Sequence, residues 1–455
     1  MIQMNLTQAA PILQAEEIPL HSQTSFQGIS IDTRSLQPGN LFIALKGIQN
    51  DGHHFIEDAY QKGAAAAVVM QETSSSLPQL VVPDTVLALG QLTSAWRKQF
   101  SLPIIAVTGS NGKTTLKNMI AAILLAARNG KQQEVLSTIG TLNNHLGLPL
   151  TLAKLSHEHH YAVLEMGMNH FGEIEYLSKL AQPSVAVITN AAAAHLEGVG
   201  DVAGAARAKA EIFSGLSLKG TCVLNRDDPF FSFWLASAKG RPCITFGIHE
   251  EAHVRAIVHA TTTIQKLTLQ TTKGNIPINL PLLGKHNVQN MLAAAAATLA
   301  IGINLETIKK GLESILPAKG RLELHTLQNG AVIIDDTYNA NPFSLQAAVD
   351  TLSTFSGKKI LVLGDMKELG QEANQLHQLA GENIRKSGID FLFTYGELSL
   401  HSAEQFGEGA YHFNEHAKLI HALKPFLSQQ ITILVKGSRS MKMEKIVAGL
   451  LETVY

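Results

Sequence analysis

The chain has almost no excess of charge of either sign, because 36 Lys and Arg residues are balanced by 37 Asp and Glu residues. No long run of Lys and Arg occurs along it. This balance argues against a surface that wraps duplex nucleic acid and against a basic patch for a membrane surface. We therefore expect neither nucleic acid nor membrane as a partner, while a small charged substrate remains possible.

Cysteine is also scarce. The chain has Cys222 and Cys243, and neither lies in a C-x-x-C or another metal-binding spacing. The sequence therefore lacks the cysteines for a disulfide framework and the ligand spacing for a structural zinc site. A reducing cytoplasm is the compartment that fits this composition.

Long hydrophobic segments are missing as well. The most apolar stretches, such as residues 291–301, are rich in Ala and shorter than the roughly 18 to 20 residues of a membrane-spanning helix. Residues 1–6 lack the basic start and apolar core that a secretory signal needs. We expect a soluble, cytoplasmic protein.

The length of 455 residues is about three times that of a usual domain, so several hydrophobic cores are expected. In residues 1–100, two helical patterns, at 55–62 and 86–100, accompany short runs of strand type. These runs lie at residues 28–31, 41–45, 67–70 and 80–82. The pattern predicts a small α/β domain.

The second segment, residues 101–316, begins with a buried-type strand at 104–107, a glycine-rich loop and a helical pattern that ends near Arg128. Further strand-type runs alternate with helices at 162–165, 185–189 and 221–224, and a β-rich stretch at about 254–280 precedes an Ala-rich helix. Such alternation predicts a mostly parallel sheet covered on both faces. We interpret this segment as a central ATPase domain of the P-loop type.

The third segment, residues 317–455, opens with helix-breaking residues around Pro317 and Gly320. Strand-type runs, each followed by a helix-compatible stretch, lie at residues 332–334, 359–363, 391–393 and 431–435. They predict a second doubly wound, Rossmann-like sheet. The fold class predicted from sequence is thus α/β, with three domains.

The loop after the strand at 104–107 has the residues of a phosphate site. Backbone N–H groups of a glycine-rich turn and a helix N-terminus form a concave anion site, and a lysine adds positive charge. Only two residues separate Gly109 from Gly112, so the loop is a shortened P-loop, with an ordinary strand-to-helix turn as the alternative. Thr114 is placed to bind Mg²⁺. The candidate nucleotide contacts are Gly109, Ser110, Asn111, Gly112, Lys113, Thr114 and Thr115.

Two polar residues follow strand ends of the same segment, where doubly wound sheets bind their ligands. Glu165 ends the run at 162–165 and could offer a carboxylate oxygen to a cation that bridges ATP oxygens. A solvated or helix-capping glutamate is the alternative. His195 follows the strand at 185–189. It could be a ligand, and an ordinary packed or surface histidine is the alternative.

Together with later strings, these residues resemble the Mur ligase family of peptidoglycan synthesis, and the similarity spans all three segments. The strings are residues 108–115, 283–287, 319–321 and 335–342, with Glu165 and His195. Folylpolyglutamate synthases share the central fold and several of these motifs.

Further strings narrow the resemblance within the family. They are Asp32-Thr33-Arg34 with residues 38–47, residues 142–151, and residues 338–342. They are similar to members that add D-alanyl-D-alanine to UDP-N-acetylmuramoyl-tripeptide, and the Asp-Asn-Pro-Arg string of the diaminopimelate-adding relatives is absent. The resemblance implies these two substrates, ATP, two Mg²⁺ ions and a monomer.

The resemblance also implies roles for individual residues. Catalytic roles fall to Lys113, Glu165, His195 and Lys209, and Mg²⁺ ligands are Thr114, Glu165 and His195. Further nucleotide contacts are His286, Asn287, Asn290, Arg321 and Asp336. Substrate contacts are Ser30, Asp32, Arg34 and Lys46 at the UDP end, Asn143 and Asn144 at the muramoyl peptide, and Tyr338, Asn339 and Asn341 in the third domain.

Two basic positions have alternative interpretations. Lys209 matches a lysine that is commonly carbamylated in the family, whereas the residues alone indicate a solvated helix lysine. Lys436, in the string at 436–439, follows the last predicted strand and could contact substrate, although a basic strand-end turn is equally compatible with the pattern.

The implied reaction forms an acyl phosphate from ATP and the tripeptide carboxylate, which the dipeptide amine then attacks. A folate-polyglutamylating ligase would use the same chemistry, but it would not need a UDP-binding first domain. A nucleotide-dependent regulatory ATPase without ligation is the more distant alternative.

Overall fold

A computed structural model describes residues 1–15, 23–47, 50–193, 196–261 and 264–452. Over these residues the chain forms three α/β units, each with its own mostly parallel sheet. The predicted α/β class is confirmed.

The N-terminal unit has a four-stranded parallel sheet in the order β3-β4-β5-β6 and a separate antiparallel pair, β1 and β2. Its strands are β1 Gln3–Asn5, β2 Ser25–Gln27, β3 Ile29–Ser30, β4 Leu41–Ile43, β5 Ala66–Val69 and β6 Gln79–Val81. Its helices are α1 Leu6–Leu13, α2 Ile56–Gln61 and α3 Thr85–Arg97. Helix α3 also packs on the central unit, so one hydrophobic core continues from the first unit into the second.

The central unit contains a nine-stranded sheet in the order β15-β14-β13-β12-β11-β10-β7-β9-β8. Its strands are β7 Ile104–Thr108, β8 Val135–Ser137, β9 Tyr161–Glu165, β10 Val185–Ile188, β11 Thr221–Asn225, β12 Cys243–Phe246, β13 Val254–Thr261, β14 Gln265–Thr271 and β15 Gly274–Leu280. Its helices are α4 Lys113–Ala127, α5 Gly147–Leu152, α6 Glu173–Ala181, α7 Leu196–Val199, α8 Val202–Ala210, α9 Phe231–Ser237, α10 Lys285–Leu299 and α11 Leu305–Glu313. The strands from β8 to β13 are parallel, and β14 and β15 extend the sheet as an antiparallel meander.

The strand–loop–helix that begins this unit follows from its hydrophobic pattern. All five residues of β7 are buried, as expected for a central strand covered on both faces. Helix α4 buries Leu116, Met119, Ile120 and Ile123, which share one face at helical spacing. That face packs against α10 and α11, which fixes the position of the helix N-terminus beside the carboxyl end of β7.

The C-terminal unit has a six-stranded sheet in the order β16-β17-β21-β18-β19-β20, parallel except for the edge strand β16. Its strands are β16 Glu323–Thr326, β17 Val332–Asp336, β18 Lys358–Gly364, β19 Phe391–Tyr395, β20 Ala410–Phe413 and β21 Ile431–Lys436. Its helices are α12 Pro342–Ser353, α13 Ala373–Lys386, α14 Ser399–Phe406, α15 His416–Leu423 and α16 Glu444–Leu451. Two hydrophobic clusters lie on opposite faces of this sheet, so it is doubly wound as predicted.

The two cysteines are direct neighbours on the parallel strands β11 and β12, although nothing in their sequence spacing indicates this. Both are free thiols, and burial raises the pKa of Cys222 to about 12. Among the described residues, no helix is both long and apolar enough to span a membrane.

Candidate active site

A cavity of about 450 Å³ lies where the central and C-terminal units meet. The carboxyl ends of β7, β9 and β10 form one side, and the segment after β17 forms the other. Many residues predicted from sequence line it: Ser110, Asn111, Gly112, Lys113, Thr114, Thr115, Asn143, Asn144, Glu165, His286, Asn287, Asn290, Arg321, Asp336, Tyr338, Asn339 and Asn341. A cavity with converging polar groups at strand ends is the usual position of a ligand in such sheets.

The phosphate loop depends on two glycines. Gly109 has φ +150° and Gly112 has φ +83°, which L residues with a side chain rarely adopt. A Cβ at Gly109 would collide with Thr189 Oγ1, and one at Gly112 would collide with Asn290 Oδ1. The backbone therefore passes too close to its neighbours for any side chain at these positions.

The loop is also fixed from the end of β10. Asn190 accepts hydrogen bonds from the Ser110 N–H through its backbone oxygen at 3.0 Å and from the Asn111 N–H through Oδ1 at 3.0 Å. Thr189 Oγ1 donates to the Asn111 carbonyl at 2.7 Å. Lys113 folds back over the loop, and its Nζ donates to the Gly109 carbonyl at 2.7 Å. An anion bound in the loop would be a stronger hydrogen-bond partner for the Lys113 ammonium than the neutral Gly109 carbonyl is.

Two oxygens suited to Mg²⁺ meet beside the loop. Thr114 Oγ1 donates to Glu165 Oε2 at 2.9 Å, and Asn143 Nδ2 donates to Glu165 Oε1 at 2.9 Å. Glu165 is only 2% exposed, so its carboxylate is held in place within the fold and the solvated-glutamate alternative is wrong. A half-buried hydroxyl and a buried carboxylate at hydrogen-bonding distance are a hard-oxygen donor set, which fits Mg²⁺.

Cations outnumber anions around this carboxylate. Arg321 Nη2 donates to Thr114 Oγ1 at 3.2 Å, and the guanidinium lies 4.1 Å from the centre of the Tyr338 ring. Burial lowers the pKa of Lys113, the Glu165 charge opposes that shift, and the Arg321 charge adds to it. An incoming polyphosphate would relieve both the burial cost and the repulsion between the cations.

Lys209 lies on α8 and does not line the cavity, but its charge interacts with that of Lys113. Its side chain is 1% exposed, so the interpretation as a solvated helix lysine is wrong. Burial lowers the pKa of Lys209 to about 7, with Lys113 adding to the shift and Asp228 opposing it. A large fraction of this amine is therefore neutral near neutral pH, which an ordinary lysine is not.

The adenine-side residues predicted from the resemblance lie at the start of α10. Asn287 Nδ2 donates to the Leu283 carbonyl at 2.6 Å, and Asn290 Nδ2 donates to Asn287 Oδ1 at 3.2 Å. His286 Nδ1 is buried and has no hydrogen-bond partner among the described residues. Burial lowers the pKa of His286 to about 4, so the ring is neutral. A neutral, half-buried ring with an unused buried nitrogen fits contact with a planar base better than contact with phosphate.

The C-terminal unit contributes an ion pair that the sequence did not reveal. Lys436, at the end of β21, donates to Asp336 Oδ2 at 2.7 Å and to the Asn339 carbonyl at 2.8 Å. The two charged residues are register partners on β21 and β17, and Lys436 is only 3% exposed. Lys436 is therefore occupied in holding the segment from Asp336 to Asn339, rather than free in an exposed basic turn.

The predicted UDP contacts lie away from the cavity. Ser30 Oγ donates to the Asp32 carbonyl at 2.9 Å, and Arg34 binds the Asp32 carboxylate through two nitrogens on an exposed turn. Arg34 holds the pKa of Asp32 low, at about 2. Lys46 is exposed, and its backbone pairs with that of Asp51 in an isolated antiparallel β-bridge. None of these four predicted residues lines the cavity in the part of the chain that the structure describes.

His195, the remaining predicted metal ligand, lies outside the described residues. Its neighbours in sequence are placed, since Ala192 accepts a hydrogen bond from Ser110 Oγ at 3.0 Å through its carbonyl. The role of His195 stays a prediction.

Comparison with protein families gives a match in each of the three units. Residues 25–97 match the model described as "Mur ligase family, catalytic domain", residues 107–298 the "Mur ligase middle domain", and residues 320–439 the "Mur ligase, glutamate ligase domain".

Individual proteins are similar over the full length. The UDP-N-acetylmuramoyl-tripeptide–D-alanyl-D-alanine ligase of Escherichia coli is 41% identical and covers 99% of both chains, and that of Bacillus subtilis is 40% identical and covers 96% of this chain and 95% of its own. Among solved structures, MurF from Acinetobacter baumannii has a TM-score of 0.92 at 37% identity over 99% of both chains.

Two further solved structures are similar to this chain at lower sequence identity. MurF ligase from Thermotoga maritima in complex with ADP has a TM-score of 0.86 at 26% identity, covering 94% of this chain and 98% of its own. A folylpolyglutamate synthase from Mycobacterium tuberculosis, at 18% identity and a TM-score of 0.65, covers 80% of this chain and 94% of its own and shares the fold alone. The phosphate loop and the oxygen pair of Thr114 and Glu165 are consistent with the activity named for these relatives. The three matched segments and the full-length similarity show that this chain belongs to the Mur ligase family.

Proposed function

We propose that this chain is the ATP-dependent ligase that joins D-alanyl-D-alanine to UDP-N-acetylmuramoyl-tripeptide and so completes the UDP-muramoyl-pentapeptide of peptidoglycan synthesis. The observation that supports it best is the meeting of the phosphate loop, Glu165 and Arg321 at one cavity, in a chain whose full-length relatives have that name.

We assign the work to three domains. Residues 1–100 bind the UDP end of the acceptor, residues 101–316 bind ATP, and residues 317–455 complete the site from the other side. The position of the cavity between the second and third units supports this division, because both contribute lining residues. The exposed Asp32–Arg34 pair is available to a ligand on the first unit.

A peptide carboxylate resists attack by an amine, so it must first be activated. The carboxylate attacks the γ-phosphorus of ATP, the bond to the β-γ bridging oxygen breaks, and an acyl phosphate and ADP result. Lys113 and Arg321 lie beside the loop and offset the negative charge that moves onto the bridging and terminal oxygens.

Thr114 and Glu165 would hold one Mg²⁺, with Glu165 and His195 proposed for a second. When bound, Mg²⁺ neutralises phosphate charge and orients the phosphate oxygens. The hydrogen bond from Asn143 Nδ2 to Glu165 Oε1 leaves Oε2 directed at Thr114, which keeps the carboxylate in one orientation.

We further propose that Lys209 is carbamylated. Carbamylation requires a neutral amine, and burial together with Lys113 gives Lys209 that form at near-neutral pH. A carbamate would put a negative charge where the protonated amine carries a positive one, so the electrostatic interaction with Lys113 would change from repulsion to attraction.

The second half of the reaction is attack by the dipeptide amine on the acyl carbonyl carbon. The amine loses a proton, a tetrahedral intermediate forms, and its breakdown releases inorganic phosphate and leaves the new peptide bond. Holding the reactants in the cavity supplies orientation, which in favourable cases contributes about 7–11 kcal/mol. Closure of the units over the bound reactants would keep water from hydrolysing the acyl phosphate.

A phosphate-release assay tests the proposal. Purified protein is incubated with ATP, Mg²⁺, UDP-N-acetylmuramoyl-tripeptide and D-alanyl-D-alanine, and each component is omitted in turn. Sustained phosphate release should require all of them, with the pentapeptide product detected by mass. Release without the dipeptide would point to a regulatory ATPase, and turnover with a folate and glutamate in their place would point to a polyglutamylating ligase.

A further inference from the structure

Three side chains that can bind metal ions meet on the outer pair of strands of the C-terminal sheet. Glu323 and His325 lie two residues apart on the edge strand β16, and Asp335 on β17 is the register partner of Glu323, so all three share one face. One carboxylate oxygen of each acid and one ring nitrogen of the histidine lie within 4.8 Å of one another. No other three His, Cys, Asp or Glu side chains come this close together in the part of the chain that the structure describes.

This cluster lies on the reverse face of the strand that contributes to the cavity. Leu324 and Ile334 pack in the hydrophobic cluster on one side of the sheet, whereas Ile333, two residues before Asp335, packs in the cluster on the other side. Asp336, the next residue along β17, therefore points away from Asp335, and it lines the cavity. The three side chains are thus separate from the candidate active site, although they share a strand with it.

The three side chains do not satisfy one another. His325 Nε2 lies 4.0 Å from Glu323 Oε1, which is too far for a hydrogen bond. Asp335 is 4% exposed, and its Oδ1 accepts the Thr337 N–H at 3.0 Å and Thr337 Oγ1 at 2.6 Å, while no described residue donates to Oδ2. Within the described ranges, no Lys or Arg forms an ion pair with either carboxylate. Because a buried carboxylate without a cation is costly, a positive ion between the two acids would stabilise the fold.

We propose that Glu323, His325 and Asp335 bind a Zn²⁺ ion. Zn²⁺ accepts imidazole nitrogen together with carboxylate oxygen, and three protein ligands leave a fourth position for water. Mg²⁺ and Ca²⁺ prefer sites made of oxygen alone, so this donor set selects against them. Two zinc–ligand bonds of about 2.0–2.2 Å together span roughly 4 Å, so the donor atoms need to approach only slightly. Glu323 and His325 are half-buried at a sheet edge, where such small rotations are open to them.

The bound ion would cross-link β16 to β17. Apolar burial contributes little to holding β16, because its single aliphatic side chain, Leu324, is only partly buried. Arg321 lies two residues before Glu323 and reaches Thr114 across the cavity. Joining Glu323 to Asp335 would therefore also restrict the segment that carries Arg321 into the candidate active site.

Calorimetric titration with Zn²⁺ tests the site in the full-length protein, first freed of metal with a chelator and then kept in excess Mg²⁺. His325→Gln removes the imidazole, and Asp335→Asn removes a charge but can still accept from Thr337. Each should weaken binding of one Zn²⁺ ion at least about 100-fold, since even residues behind metal ligands change affinity 10- to 100-fold. His401→Gln is the matched control: His401 contacts Glu404 at 3.3 Å in the same unit, and no third described ligand joins them.

Hydrogen exchange locates the ion in the chain. With free Zn²⁺ at ten times its dissociation constant, openings that release the ion should become about tenfold rarer. We therefore expect about tenfold slower amide exchange in the peptides that contain β16 and β17 of the unsubstituted protein. The same peptides of His325→Gln should exchange equally fast with and without Zn²⁺. Thermal unfolding of both ligand variants without Zn²⁺ should match that of the unsubstituted protein in the same buffer.

Neither measurement uses a substrate, so the result is independent of the proposed function. Zn²⁺ bound elsewhere, for example by Cys222 and Cys243, is common to all variants and cancels in the comparison. Loss of one Zn²⁺ ion from both ligand variants but not from His401→Gln, with protection at β16 and β17, supports the site. Undiminished Zn²⁺ binding by either His325→Gln or Asp335→Asn, or no protection of β16 by Zn²⁺, would overturn it and leave adventitious binding only.

Discussion

At the scale of single residues, burial lowers the pKa of both Lys113 and Lys209, but the two amines have different neighbours. Lys113 lies in a loop built for anions and close to Glu165, so bound phosphate restores its charge. For Lys209, Asp228 is the opposing charge that the described residues provide, and the pKa is about 7. The same side chain is therefore suited to charge neutralisation in one place and to nucleophilic addition to CO₂ in the other.

Replacing Lys113 tests the phosphate loop. Lys113→Ala should lower the ligation rate at least about 100- to 1,000-fold, the loss that follows from removing one oriented donor to developing charge. The fold should persist, since the hydrogen bonds of Nζ within the described residues go to the loop carbonyls of Gly109 and Ser110. Phosphate release and far-ultraviolet circular dichroism measure the two effects, with the exposed Lys98→Ala as control. Near-normal turnover of a folded Lys113→Ala variant would falsify the loop assignment.

Replacing Lys209 tests the carbamate. Lys209→Ala should be inactive, and short-chain carboxylic acids should restore part of the rate by supplying a carboxylate at the same place. Since the amine is neutral above its pKa of about 7, labelling of the unsubstituted protein with ¹³C-bicarbonate should increase from acidic to mildly alkaline pH. Carbon NMR would detect the carbamate signal. Lys179→Ala, on an exposed surface, is the control, and absence of both rescue and signal in folded protein would exclude carbamylation.

At the scale of elements, the strands and helices with strong hydrophobic patterns were predicted from sequence within a few residues, among them β7, α4, β9, β10 and β21. Shorter or more polar strands were missed. Strand β16 has only partly buried or exposed residues, and β1 and β2 are three residues long, so no apolar periodicity marks them. These segments are strands because they pair with a neighbouring strand at the edge of a sheet, not because of their local sequence. Such pairing depends on residues outside the segment itself.

The residues of the candidate site likewise fall into those that the sequence predicted and those whose surroundings it did not reveal. Loop residues and strand-end residues were found because a motif or a strand end marks them, as with Thr114 and Glu165. The burial of Lys209 and the pairing of Lys436 with Asp336 could not be found, because each depends on packing between segments that are distant in sequence. The resemblance indicated a role for Lys209, whereas the residues alone indicated a solvated lysine.

Replacing a loop glycine tests how the element serves the site. Gly112→Ala should cost about 1–2 kcal/mol of folding free energy from its positive φ and should also displace Asn290, whose Oδ1 a Cβ would meet. Gly130→Ala, at φ +81° with nothing near the added Cβ, is the matched control for the backbone strain. We expect a larger loss in thermal stability for Gly112→Ala than for Gly130→Ala, and reduced affinity for the non-hydrolysable ATP analogue AMP-PNP only for Gly112→Ala. Equal nucleotide affinity in both variants would contradict the close-approach argument.

At the scale of the whole molecule, the three units differ in whether their predicted site residues line the cavity. The central and C-terminal units meet directly there, through Arg321 to Thr114 and Asn341 to Asn111. The N-terminal unit shares a hydrophobic core with the central unit on the side of α3, yet its predicted UDP contacts do not line the cavity. A long substrate that reaches from one to the other would connect them, as a UDP-linked peptide does.

That separation leads to a prediction about specificity. Arg34→Ala removes an exposed cation from the first unit and should raise the KM for UDP-N-acetylmuramoyl-tripeptide about tenfold, the loss of a charge-assisted contact of about 1.4 kcal/mol, without changing the KM for ATP. Lys62→Ala, which breaks another exposed ion pair on the same unit, should change neither constant. Steady-state kinetics with each substrate varied in turn measure both values. Because we propose that ATP and the UDP end bind to different units, a parallel rise in both KM values for Arg34→Ala would show that the first unit does more than bind the UDP end.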